Sequence, residues 1–141
     1  MRRFLLLLML IGAMSLNGGA AGADGITIDV SKKAQLAADG SVTYTVQVTC
    51  GPLPGTVDFT EGLAGAGQPR TGASAEGGLS PNIVCDGIAL TYTAGISLLS
   101  EDPFKRGRAT AFVSVIACNT VGDQQVCVQG SARERVIVTG P

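Results

Sequence analysis

The sequence predicts an all-β domain, and three observations carry that prediction. Apolar and polar residues alternate with a period of two over three long stretches. No stretch carries a convincing helical period. Four cysteines occur in a chain without histidine, all downstream of an export-like N-terminus. Such cysteines read as two disulfides formed in an oxidising compartment.

The N-terminus comes first. Arg2 and Arg3 precede an unbroken apolar run from Phe4 to Ile11, and Ala21-Gly22-Ala23 has the small-x-small form that signal peptidase accepts. Residues 1–23 are therefore expected to be a secretory signal, and the apolar core is too short for the roughly 20 residues of a membrane span. Cleavage after Ala23 leaves residues 24–141, which is 141 − 23 = 118 residues and suits a single domain. No cysteine stands near the cleavage site to carry lipid, so the mature protein is expected to be secreted and soluble. It carries eight basic and eleven acidic residues, a net charge of 8 − 11 = −3. That balance predicts no nucleic-acid partner and no attraction to an anionic membrane.

The strands follow in order. Ile26 to Val30 is a short candidate. Asp39-Gly40 signals a turn, and then Val42, Tyr44, Val46, Val48 and Cys50 alternate with Thr43, Thr45, Gln47 and Thr49. Gly51-Pro52 ends that run. Val57 to Glu61 and Asn82 to Cys85 are further short candidates. Between them, Gly62 to Ser80 is rich in glycine, and its large apolar residues are Leu63 and Leu79, so a long mobile loop or a poorly paired edge region is expected. Asp86-Gly87 then precedes Ile88 to Leu98, with Ile88, Leu90, Tyr92, Ala94, Ile96 and Leu98 on one face. From Arg108 to Cys118, Ala109, Ala111, Val113, Val115 and Ala117 form the expected inner face. Val126 to Ala132 and Arg133 to Val138 complete the set. Ser31 to Ala38 is the one helical candidate and is too short to stand alone. About seven short strands at this spacing predict an immunoglobulin-like antiparallel two-sheet sandwich, with a small closed barrel second.

Four cysteines allow three pairings. Cys118 and Cys127 flank Asn119 to Val126, which contains Gly122-Asp123, so a hairpin there would place them opposite one another. Cys50 and Cys85 each end a strand segment. The expected bonds are Cys50–Cys85 and Cys118–Cys127, worth about 3.8 and about 2.7 kcal/mol by loop-closure entropy. A four-cysteine zinc site is disfavoured because no Cys-x-x-Cys spacing exists.

A resemblance enters here. The run Ala34-x-Leu36-Ala37-Ala38-Asp39-Gly40-Ser41-Val42-Thr43, continuing to Cys50, resembles the opening of a family of small secreted actinobacterial proteins of uncharacterised function. Val84-Cys85-Asp86-Gly87 and Gly107-x-Ala109-x-Ala111-x-Val113 resemble it as well. The likeness implies a secreted immunoglobulin-like sandwich and implies no catalytic residues. The pair Cys118 and Cys127 departs from the family's pattern.

Catalytic chemistry finds little footing. Without histidine there is no Ser-His-Asp triad, no Cys-His pair and no histidine-ligated zinc. Paired cysteines leave no thiolate. Phosphate-binding glycine loops are missing. Asp58 and Glu61, or Glu101 and Asp102, are the available carboxylate pairs, but a sugar cleft also wants aromatic platforms and the chain has no tryptophan. Asp39, Asp86 and Asp123 each neighbour a glycine and read as turns rather than calcium ligands. Lys105-Arg106-Gly107-Arg108, the basic cluster, reads as the solvated start of a strand, with polyanion docking as the sharper alternative. Arg133-Glu134-Arg135 reads as a charged strand edge that discourages aggregation.

The expectation is thus a secreted, non-enzymatic, monomeric binding or structural module without cofactor or metal. Its partner would be an unknown protein or a cell-surface ligand. The candidate binding loop is Asn119, Thr120, Asp123, Gln124 and Gln125, tethered by its disulfide. Two alternatives stand beside it. One is a small-molecule carrier similar in architecture to the secreted chromoprotein apoproteins. The other is a protease inhibitor using the Cys118–Cys127 loop as bait.

Overall fold

A computed structural model describes residues 25–53 and 56–140. The expected signal peptide, residues 1–23, lies outside the described residues. Eight strands are present: β1 Ile26–Val30, β2 Lys33–Leu36, β3 Val42–Cys50, β4 Thr56–Gln68, β5 Ala73–Ser80, β6 Ala89–Leu98, β7 Gly107–Val121 and β8 Gln124–Thr139.

The strands close into a barrel, which corrects the sandwich prediction. β1 and β2 pair with the same edge of β3 and form one broken stave. β2 then runs parallel to β8, and β8, β7, β4, β5 and β6 follow as antiparallel neighbours. β6 returns to β3 through six register pairs, from Tyr44↔Ala94 to Thr49↔Ala89. The ring therefore has seven staves. A two-sheet sandwich would leave sheet edges unpaired. Here β5 is bonded to both β4 and β6, and that bridging stave removes their edges.

The bridging stave comes from the segment predicted as a loop. Gly62 to Ser80 holds the second half of β4 and all of β5, joined by a tight turn at Pro69 to Gly72. Two glycines explain how a strand forms with so little side-chain patterning. Gly65 faces outward beneath the Phe112 ring, and a Cβ there would stand 2.1 Å from the ring's Cζ. Phe112 covers the gap that a side chain would fill. At Gly77 the backbone of β6 comes so close that a Cβ would stand 1.9 Å from the Gly95 carbonyl oxygen. The period-two signal weakens there because neighbouring strands supply the surface.

The lumen is filled. Val42, Tyr44, Val46 and Val48 from β3 meet Tyr92, Ala94 and Ile96 from β6 and the alanine–valine face of β7. Small residues opposite large ones suit a narrow barrel. The inner faces expected for β3 and β7 are the observed ones. Tyr44 crosses the interior to the far wall. Its hydroxyl lies 2.7 Å from the Gly65 carbonyl oxygen and 3.0 Å from that of Phe112, and it accepts the Gly65 N–H at 3.2 Å. Burial pushes its pKa up to about 12, partly offset by the Gly65 bond.

Other expected elements differ in extent. Asn82 to Cys85 is loop, and Ile88 lies just before β6 and is exposed. The two candidates Val126–Ala132 and Arg133–Val138 form the single long strand β8. The helical candidate Ser31 to Ala38 is β2 with its flanking turns. β2 forms because Gln35 and Leu36 pair with Thr43 and Val42, a long-range template that local propensity does not register.

Candidate functional site

Chain direction gathers one end of the barrel. β3 ends at Cys50, β5 ends at Ser80, β6 begins at Ala89, and β7 and β8 meet at residues 122–123. Both disulfides sit at this end. Cys50 is bonded to Cys85 with a Cα–Cα distance of 4.4 Å, and Cys118 to Cys127 with 4.0 Å. Both bonds join the cysteines expected from the sequence.

The 81–88 loop is tied to the barrel three further times and braced once within itself. The Gly87 N–H donates to the Cys50 carbonyl at 3.0 Å, and the Thr60 hydroxyl donates to the Ile83 carbonyl at 3.2 Å. The Val84 N–H donates to the Tyr92 hydroxyl at 3.0 Å. The Asp86 carboxylate accepts the Ile88 N–H at 3.0 Å, closing an Asx turn. Asp39 does the same for Ser41, and those bonds lower its pKa. Two of the three Asp-Gly pairs are thus turns by direct contact.

The candidate binding loop is a ribbon tip. Asn119 to Val121 and Gln124 to Val126 continue the β7–β8 ladder, and the turn itself is Gly122-Asp123. Gly122 has φ 61°, and among the described residues only glycines have positive φ, so the turn fits type II′ with glycine first. The structure separates the five candidate residues. Thr120, Asp123, Gln124 and Gln125 are exposed, whereas Asn119 is 1% exposed and faces inward. Its burial follows the parity of Ala109 through Ala117, a signal readable in the sequence.

Apolar side chains surround the tip. Val57, Val121 and Val126 are exposed at the barrel mouth. On the outer face, Phe59 lies beside the Cys118–Cys127 bond, in register with Cys118. Leu63, Phe112 and Ile116 extend that stripe along β4 and β7, with Phe59 47% and Leu63 52% exposed. The Thr120 hydroxyl donates to the Asp58 carboxylate, so β4 supports the ribbon laterally. Sequence reasoning missed the stripe because Phe59 and Leu63 were assigned to different kinds of structure.

The carboxylate pairs do not converge on a cleft. Asp58 is engaged with Thr120 at the disulfide end, and Glu101-Asp102 lies in the β6–β7 connection at the opposite end. Among the described residues, no group of three His, Cys, Asp or Glu side chains is arranged to hold a metal ion. No helix among them is long and apolar enough to cross a membrane.

The chain matches no family model, no curated protein and no solved structure.

Proposed function

We propose that this protein is a secreted, non-enzymatic binding module that engages a protein or cell-surface ligand through its disulfide-bearing end. The observation that supports this most is the convergence of both disulfides, the pinned 81–88 loop and an exposed apolar mouth on one end of a closed barrel. Ordering this surface in advance lowers the entropy lost on binding. Two disulfides are compatible with an extracellular location. Closure of the ring confines unpaired strand edge to β1 and the facing part of β8, which favours action as a monomer.

The geometry speaks less for the alternatives. A carrier needs an interior cavity, and here Tyr44, Val42, Val46 and Tyr92 occupy the lumen. An inhibitor loop must offer an extended backbone to a protease cleft, and the 119–126 backbone is paired with itself.

The test uses labelled mature protein on intact cells of the producing organism. Changing Val121 and Val126 to serine together is expected to abolish cell binding while leaving the melting temperature unchanged. Equal binding by the variant and the parent would overturn the reading.

A further inference from the structure

The net charge conceals an uneven distribution, although Glu101 and Asp102 share the end opposite the disulfides. All eight basic side chains among the described residues lie on one side: Lys32 and Lys33 at β2, Arg70 in the β4–β5 turn, Lys105, Arg106 and Arg108 at the start of β7, and Arg133 and Arg135 on β8. Within β2, β7 and β8 the one carboxylate is Glu134, which pairs with Lys32 at 2.7 Å. Among the described residues, no carboxylate lies within ion-pair distance of Arg70, Arg106, Arg108, Arg133 or Arg135.

The register builds these charges into a surface. Lys33, Ile137 and Arg108 stand side by side across three strands, which spaces the two cations by about 10 Å. Arg133 and Arg135 share the outer face of β8, about 7 Å apart. Two adjoining grooves run between them. One of 340 Å³ is lined by Arg108, Thr110, Arg135 and Ile137, and one of 450 Å³ by Arg70, Gly107 and Arg108; Pro69 borders both.

The scaffold also holds the segment still. Gln68 is 1% exposed and spends its amide on it. Its Nε2 donates to the Lys105 and Arg108 carbonyls at 2.8 and 3.1 Å, and its Oε1 accepts the Lys105 N–H at 2.8 Å. The Arg70 guanidinium donates to the Arg106 carbonyl at 2.8 Å, and Arg106 donates to the Gly140 carbonyl. Two arginines are thus oriented by backbone carbonyls, with further N–H groups left to donate. Unpaired like charges held this close repel one another, a cost that an anionic partner would relieve.

We infer that this face, at the end of the barrel opposite the disulfides, binds a linear polyanion: an extracellular glycan bearing phosphate or sulfate groups. Guanidinium groups match such oxyanions geometrically. The face carries no exposed aromatic residue among its groove-lining side chains on which a base would stack, which disfavours single-stranded nucleic acid.

The experiment measures binding of the mature protein to heparin, as a sulfated-glycan probe, across a salt series. The expected result is affinity that falls steeply with salt. Arg108→Gln with Arg135→Gln should weaken it at least about tenfold at low salt. The same double variant should keep or raise the melting temperature, because it removes repulsion. The tip variant carrying V121S and V126S should bind heparin like the parent, which separates this inference from the proposed function. No heparin binding, an unchanged affinity in the arginine variant, or a clear preference for duplex DNA or for anionic phospholipid vesicles would each overturn it.

Discussion

Removing one oxygen from the barrel's interior offers the sharpest test of how the ring is held. Tyr44→Phe keeps the buried ring and its apolar volume while deleting the hydroxyl that reaches β4 and β7 from β3. The buried Gly65 N–H then loses an acceptor, and the one hydroxyl proton shared between the Gly65 and Phe112 carbonyls is lost as a donor. An orphaned buried polar group costs about 1–3 kcal/mol, so a loss of about 2 kcal/mol is expected. For a chain of this size the unfolding entropy is about 0.24 kcal/mol/K, and the melting temperature should fall by about 8 °C. The pH dependence adds a second arm. The folded pKa of Tyr44 is raised from 10.0 to about 12. A raised folded pKa means the contribution is complete below the unfolded value and is lost as pH rises through the folded one. The gap between parent and variant should therefore hold below pH 10 and shrink toward pH 12. Circular-dichroism melts of both proteins at matched pH measure it, and titrations of other groups cancel in the difference. A variant with an unchanged melting temperature, or a gap that stays constant up to pH 12, would refute the reasoning.

Two further predictions concern the same walls. Gly65→Ala should displace the Phe112 ring and destabilise the fold measurably in denaturant unfolding, whereas Gly67→Ala, with nothing within 4 Å of its Cβ, should be neutral or slightly stabilising. Removing both cysteines of the Cys50–Cys85 bond should lower the melting temperature more than removing both of Cys118–Cys127. The sequence separations are 35 and 9, and loop entropy assigns about 3.8 and about 2.7 kcal/mol.

Much of the wall was legible because its signals are local. The Val42–Cys50 and Ala109–Ala117 alternations needed one buried face, and the inner residues of β3 and β7 follow directly from that parity. The cysteine pairs were legible because Cys50 closes the β3 alternation and Cys118 and Cys127 flank one short hairpin. The error at Gly62 to Ser80 has a definite cause. Gly65 and Gly77 belong to strands whose faces are completed by Phe112 and by the β6 backbone, so their pattern lies in other segments of the chain. Misreading that one stretch as a loop removed the stave that bridges β4 to β6 and turned a barrel into a sandwich. At Asn119 to Val126 the hairpin was legible, but not that its ladder continues to the Gly122-Asp123 turn.

From the sequence alone come the all-β class, the two disulfides, the inner faces of β3 and β7 and the lack of histidine-based chemistry. Those properties depend on residue identity and near-neighbour spacing. Closure of the ring, the shared end of the two disulfides and the gathering of eight basic residues on one side depend on which distant strands become neighbours. Lys33, Arg70, Arg108 and Arg135 are scattered over about a hundred residues, and only strand pairing places them around adjoining grooves. The charge count of a chain is additive along the sequence, but the field it produces is set by distance.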